Sequence, residues 1–167
     1  MTTPRARSAL LLMLPWLLLA AAVGVLDQVT KQLVLANLHY GQVIPITGFF
    51  DLVLVFNPGA AFSFLADHGG WQRWFFTILA LVISAWLLVM MYQHRHEKIL
   101  PAAFALIIGG ALGNVYDRLV HGAVVDFLHF HYAGWSWPAF NLADSAITVG
   151  VVLMLWGQLR SPHAQQP

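Results

Sequence analysis

The sequence predicts an α-helical membrane protein: four transmembrane helices that carry a small extracytoplasmic β-ribbon, or cradle, and a short interfacial helix. Three observations predict it. Hydrophobic residues make up 59% of the 167 and charged residues only 9%, with a mean hydropathy of +0.71. That is more apolar surface than a water-soluble core of this size hides, so lipid must be the solvent. Four apolar stretches reach the roughly 20 residues that a helix needs to cross a bilayer. The acidic residues, finally, collect beyond one end of those stretches.

The first span is expected near Ser8 to Leu26. Its stretch "RARSALLLMLPWLLLAAAVG" imitates a secretory signal, with Arg5 and Arg7 ahead of the apolar run and Ala20 to Ala22 behind it. The run continues to Leu26, longer than an ordinary signal core, which predicts a retained anchor. Between the first two spans, "GFFDLVLVFN" is rich in aromatic and β-branched residues and predicts a short hairpin or ribbon. "NPG" at 57 to 59 supplies turn chemistry. "AAFSFLADHGGWQRW" then reads as a short amphipathic helix along the interface, with Trp71 and Trp74 in the headgroup belt.

The remaining spans are expected at Trp74 to Tyr92, Ile99 to Val115 and Leu142 to Leu159. No repeat or composition shift divides the chain, so 1–167 reads as one membrane unit. Arg5 and Arg7, then Arg95 and Lys98 in the link "QHRHEK", then Arg160 place both termini and that link in the cytoplasm by the positive-inside rule. Six acids, Asp27, Asp51, Asp67, Asp117, Asp126 and Asp144, then lie at or near the external end, and Glu97 lies inside. The net charge of +1 offers no field for nucleic acid, and the absence of cysteine removes disulfides and thiolate chemistry.

An ionised aspartate at the bilayer centre costs about 2.5 to 3.5 kcal/mol on insertion scales, so carboxylates near spans face wet cavities or partners. Asp27 and Lys31, four apart, read most simply as an i,i+4 pair at the membrane surface. Asn57 and Gly59 read as a turn. Asn114, Asp117 and Arg118 occupy consecutive turns where the third span emerges, either as a helix-end ion pair or as a functional cluster. Asn141 can cap the fourth helix with Asp144 as its third residue, close to a capping box. Asp126 is different: "AVVDFLHF" sets a carboxylate among apolar neighbours in an extended loop.

Asp126 and Asp144, both in apolar surroundings at one membrane face, point to a shared proton. If they approach each other, repulsion and desolvation raise one carboxyl, and the ionised partner activates water while the protonated one polarises a carbonyl. No G-x-S-x-G elbow or H-E-x-x-H motif competes. Two alternatives stay open. His129 and His131, on one face of a strand, form a metal site with Asp126 or His121 in a membrane metallohydrolase, or the buried acids serve a proton-coupled transporter.

Taken in order, "DQVTK" (27 to 31), "NPGAAFSF" (57 to 64), "GNVYDR" (113 to 118), "VVDF" (124 to 127) and "FNLADSAI" (140 to 147) resemble the motif series of the lipoprotein signal peptidase family, also called signal peptidase II. The resemblance spans nearly the whole chain. It implies an aspartic endopeptidase that removes signal peptides from bacterial prolipoproteins, cleaving before a diacylglyceryl-modified cysteine, with Asp126 and Asp144 catalytic and no metal or cofactor. It further implies that Asp27, Lys31, Asn57, Gly59, Asn114, Asp117, Arg118 and Asn141 support the site or contact substrate and globomycin-type inhibitors. The implied setting is the bacterial cytoplasmic membrane, with membrane lipid as partner, an external active face, and segment 41 to 73 as cradle and lid.

Overall fold

The computed structural model describes residues 4–59 and 70–160. Its elements run α1 (Pro4–Asn37), β1 (Val43–Thr47), β2 (Phe50–Asn57), α2 (Trp71–Gln93), α3 (Ile99–His121), β3 (Val124–Tyr132), β4 (Trp135–Ser136) and α4 (Leu142–Arg160). All four helices are long and apolar enough to cross a membrane. The strands follow α1 and α3 and precede α2 and α4, so antiparallel helices bring every strand to one end of the bundle.

Helix α3 is the centre. It packs against α1, α2 and α4 and is mostly buried, whereas the other three turn most of their apolar surface outward. Its small residues permit that crowding. A Cβ on Gly109 would fall 2.5 Å from the Ala20 carbonyl oxygen of α1, and one on Gly110 would fall 2.5 Å from the Ala143 carbonyl oxygen of α4. In lipid, where apolar burial gives no drive between helices, such close backbone approach supplies the packing. Leu87, Met91, Phe104 and Ile108 fill the core between α2 and α3.

The sheet has the order β1-β2-β3-β4 and is antiparallel throughout. Val55 lies opposite Asp126, and Asn57 opposite Val124. A second apolar cluster, Val34 of α1 and Leu38 just past its end with Leu54, Val125 and Phe127, fastens the sheet to the end of α1. Phe140 ties the approach to α4 onto β3: its carbonyl accepts from the Phe127 and Leu128 amides at 3.0 and 2.8 Å, and its amide donates to the Leu128 carbonyl at 3.0 Å.

The fold class is the one the sequence predicts, with four differences in detail. Helix α1 passes Leu26 and runs to Asn37, because no breaker intervenes and its next two turns pack against α3 and the sheet. Helix α3 passes Val115 to His121 and stops at Gly122, whose φ of 79° is the left-handed conformation of a glycine C-cap. The extended loop expected around Asp126 is strand β3, so the ribbon is part of a four-stranded sheet. The expected interfacial helix falls largely on residues 60–69, outside the described residues, while Trp71 to Trp74 form the first turn of α2.

Candidate active site

Four elements converge where the sheet meets the bundle. Strand β3 supplies Asp126, the first turn of α4 supplies Asp144, the last turns of α3 supply Asn114 and Arg118, and the end of β2 supplies Asn57. The start of α4 is the capping box its sequence predicts. Asn141 Oδ1 accepts from the Asp144 amide at 2.9 Å, and Asp144 Oδ2 accepts from the Asn141 amide at 3.3 Å.

Three asparagine amides address the two carboxylates, and each has its orientation fixed from its oxygen side. Asn57 Oδ1 accepts from the Gly59 amide at 2.9 Å, which turns its NH2 toward Asp126 Oδ2 at 2.9 Å. Asn141 Oδ1 is taken by the cap, so its NH2 donates to Asp126 Oδ1 at 2.7 Å. Asn114 Oδ1 accepts from Lys31 Nζ at 2.9 Å, and its NH2 donates to Asp144 Oδ1 at 2.8 Å. Lone pairs and N–H groups are complementary at each contact, so the three amides form one oriented set of donors.

Both carboxylates line a cavity of about 540 Å³ together with Asn57, Gly59, Arg118, Phe76 and the segment Trp137 to Phe140. Burial pushes the Asp126 carboxyl up from an ordinary 3.8 to about 7, a rise to which the charge of Asp144 adds and which the Asn57 and Asn141 hydrogen bonds oppose. Asp126 is therefore suited to hold a proton near neutral pH. Asp144 is only partly buried and sits where the α4 dipole favours negative charge. The Arg118 guanidinium lies over the Phe76 ring at 5.4 Å and donates to the Asn114 carbonyl at 3.4 Å.

Asp27 and Lys31 form the expected i,i+4 pair, at 2.7 Å, but not at a surface: both side chains are 0% exposed. The extra length of α1 carries them into contact with α3, where Lys31 also meets Asp117 at 2.8 Å. Asp117 in turn accepts from the Val125 amide at 3.0 Å and from Gln28 at 2.8 Å, and Asp27 accepts from the Ala143 amide at 2.9 Å. Asn114 thus bridges Lys31 to Asp144, which lines the cavity, and Asp117 belongs to a buried triad with Asp27 and Lys31 behind it.

His129 and His131 share a face of β3, as a strand requires, with stacked rings 5.6 Å apart. Their partner is Asp51 of β2, whose Oδ2 lies 3.3 Å and 3.1 Å from them, not Asp126, whose oxygens are taken by amides. His121 sits elsewhere, 6.2 Å from the Phe56 ring. Among the described residues no group of three or more His, Cys, Asp or Glu is arranged to hold a metal, and the alternative grouping of these histidines with Asp126 or His121 is not formed there. Sequence reasoning passed over Gln28, which its place in "DQVTK" marked, and Phe76, for which no sequence signal existed.

Comparison with known proteins shows which family the chain resembles. A family model for signal peptidase (SPase) II matches residues 19–160. The lipoprotein signal peptidase of Azoarcus sp. (strain BH72) is 74% identical over 155 residues, covering 93% of this chain and 88% of that protein. That of Polynucleobacter necessarius subsp. necessarius (strain STIR1) is 53% identical over 148 residues, covering 89% and 91%. A solved bacterial membrane enzyme superposes with a TM-score of 0.79 at 30% identity, covering 91% of this chain and 92% of that one.

Proposed function

This chain belongs to the signal peptidase II family, and from that premise we propose that Asp126 and Asp144 are the catalytic pair with which it removes signal peptides from bacterial prolipoproteins. The single observation that carries the assignment is that these two carboxylates open onto one cavity and are held by neutral amides, with no cation bonded to either among the described residues. A carboxyl pair so held is free to exchange a proton.

The scissile bond lies on the amino side of a diacylglyceryl-modified cysteine. Asp144 accepts a proton from water as the water oxygen attacks the scissile carbonyl carbon, and Asp126 gives its proton to the carbonyl oxygen. The resulting gem-diol collapses: one of its hydroxyls returns a proton to Asp126 as the carbonyl re-forms, and the carbon–nitrogen bond breaks. The proton on Asp144 passes to the leaving cysteine nitrogen, and the new carboxyl is released with both aspartates restored. Arg118, fixed beside Phe76, is placed to bind a substrate carbonyl, while Asn57, Asn114 and Asn141 hold the carboxylates. Gly59 keys Asn57. Asp27, Lys31 and Asp117 fasten α1 to α3 behind the site. No metal or cofactor enters this scheme.

The apolar cavity walls, Val55, Phe56, Phe76, Trp137 and Phe140, suit an acylated substrate arriving sideways from lipid, and a lipopeptide inhibitor such as globomycin would compete there. The whole chain works as one unit in the bacterial cytoplasmic membrane, with both termini cytoplasmic and the sheet outside, as the distribution of Arg and Lys supports. Reporter fusions after Gln93 should read as cytoplasmic and those at Tyr132 as external.

The decisive experiment uses purified protein in detergent with paired prolipoprotein peptides, one carrying the diacylglyceryl group and one without. Cleavage of the modified peptide alone, unaffected by chelator and lost in Asp126→Asn and in Asp144→Asn, is the expected result. Equal cleavage of both peptides would overturn the substrate assignment, and loss of activity to chelator with recovery on adding zinc would overturn the aspartic mechanism.

A further inference from the structure

Lys31 does not line the cavity, yet one of its three protons is directed at Asn114, whose other end addresses Asp144 in the cavity wall. Its ammonium has three donors and three acceptors: Asp27 Oδ2 at 2.7 Å, Asp117 Oδ2 at 2.8 Å and Asn114 Oδ1 at 2.9 Å. The two carboxylates already supply its counter-charge. The third contact is to a neutral amide, and its consequence lies at that amide's far end.

An ammonium can only donate, so Asn114 must face Lys31 with its oxygen. The NH2 group then faces Asp144 Oδ1 at 2.8 Å. Flipping the amide would set its NH2 against the ammonium and against Asn141 Nδ2, which now donates to Asn114 Oδ1 at 3.3 Å, and would set its oxygen against the Asp144 carboxylate. Every contact would turn from attraction to repulsion. The amides of Asn57 and Asn141 are keyed by backbone N–H groups of Gly59 and Asp144, whereas that of Asn114 is keyed by a buried side-chain charge.

We propose that Lys31 is a positioning residue for peptide hydrolysis, acting through Asn114 to hold the hydrogen-bond donor that addresses Asp144. This rests on the assignment of Asp144 to the catalytic pair. The dry triad therefore does two things at once: Asp27 and Asp117 neutralise Lys31 and join α1 to α3, and Lys31 relays a fixed donor orientation to the reacting carboxylate.

Removing Lys31 alone would leave two buried aspartates without a counter-charge, so the test neutralises the triad together. In Lys31→Met/Asp27→Asn/Asp117→Asn, asparagine oxygens still accept from the Ala143 and Val125 amides that Asp27 and Asp117 serve now. With the full-length protein in detergent and a diacylglyceryl-modified peptide, kcat should fall by roughly 10- to 100-fold, as for a lost charge-assisted hydrogen bond, with KM little changed. Adding Asn114→Ala should cost far less kcat in this background than in the native chain, a coupling that a merely structural lysine would not produce.

Native kcat in a triple variant that still unfolds cooperatively would overturn the proposal, as would an undiminished cost of Asn114→Ala. If the triple variant does not fold, Asn114→Asp decides: it keeps an oxygen for Lys31 but turns an oxygen, not a donor, toward Asp144. Retained Tm with a collapsed kcat supports the relay; native kcat overturns it. Asp144→Asn is assayed alongside. If that variant is itself active, the catalytic assignment fails; if it is inactive while the triple variant is native, only the role of Lys31 fails.

Discussion

Two pairs of aspartates sit within a few helical turns of each other and have different fates. Asp27 and Asp117 enclose a lysine; Asp126 and Asp144 face a cavity with asparagines around them. Burial does not separate Asp117 from Asp126, since each is 1% exposed. What separates them is the neighbouring charge. A cation within 3 Å gives each buried carboxylate a counter-charge, and such a buried pair acts as a fastening in which loss of either partner is costly. Amides donate to a carboxylate without cancelling its charge, so burial and the second carboxylate can keep a proton on Asp126.

The comparison predicts opposite phenotypes, and the largest is at the cavity. Asp126→Asn and Asp144→Asn should each lower cleavage by about 1,000-fold or more, and the double variant should be scarcely worse than either, as the proposed catalytic pair requires of groups that act as one unit. Tm should move little. Near-native cleavage by either single variant would break the comparison by showing that its carboxyl is not part of the reacting pair.

The next effect is in stability. Asp117→Ala removes a counter-charge from Lys31 and the side-chain acceptor of the Val125 amide, and it leaves the Gln28 side chain with only Asp27 and the Gly113 carbonyl. Breaking a buried pair from one side costs about 3 to 5 kcal/mol, which in a chain of this size lowers Tm by roughly 10 °C. Thermal unfolding in detergent measures it. A native Tm with lost cleavage would move Asp117 from the fastening to the chemistry.

How much of this was legible follows the same division. Spans, the ribbon, the capping box and the candidate aspartates were readable because they depend on local pattern: apolar length, alternation, and an Asn three residues before an Asp. The burial of Asp27 and Lys31 was not, because α1 crosses the bilayer and continues, and the i,i+4 spacing looks the same on a surface as against α3. The pairing of β2 with β3 was hidden for a related reason. The strands are separated by two helices, and neither announces its partner. The His129 and His131 face was read correctly, but its acceptor, Asp51, comes from that unseen pairing.

A smaller effect sharpens the role of the amides. Gly59 has φ of 117°, a conformation L side chains rarely adopt, and a Cβ there would fall 2.6 Å from the Phe76 ring. Gly59→Ala should displace the turn that keys Asn57 and thereby loosen the donor on Asp126. Strain of this kind costs about 1 to 3 kcal/mol, and kcat should fall by roughly 10- to 30-fold with the protein still folded. Unchanged kcat would mean that Asn57 needs no keying from its turn.

The smallest effect is also the most specific to Asp126. Its carboxyl ionises near the ordinary 3.8 in the unfolded chain and at about 7 in the folded one. Between those values the folded state holds a proton that the unfolded state has released. Stability from this group is complete below about pH 4 and is lost as pH rises through about 7. From pH 6 to pH 8 the loss is about 1 kcal/mol, or roughly 3 °C in Tm. Asp126→Asn cannot ionise, so its Tm should fall less over that interval, whatever hydrogen bond the substitution itself disturbs. In the native enzyme, cleavage should decline over the same range, because the ionised acid no longer has a proton for the scissile carbonyl. Parallel Tm curves for the two proteins would show that Asp126 does not take up a proton on folding in this range, and would overturn its role as the proton-holding member of the pair.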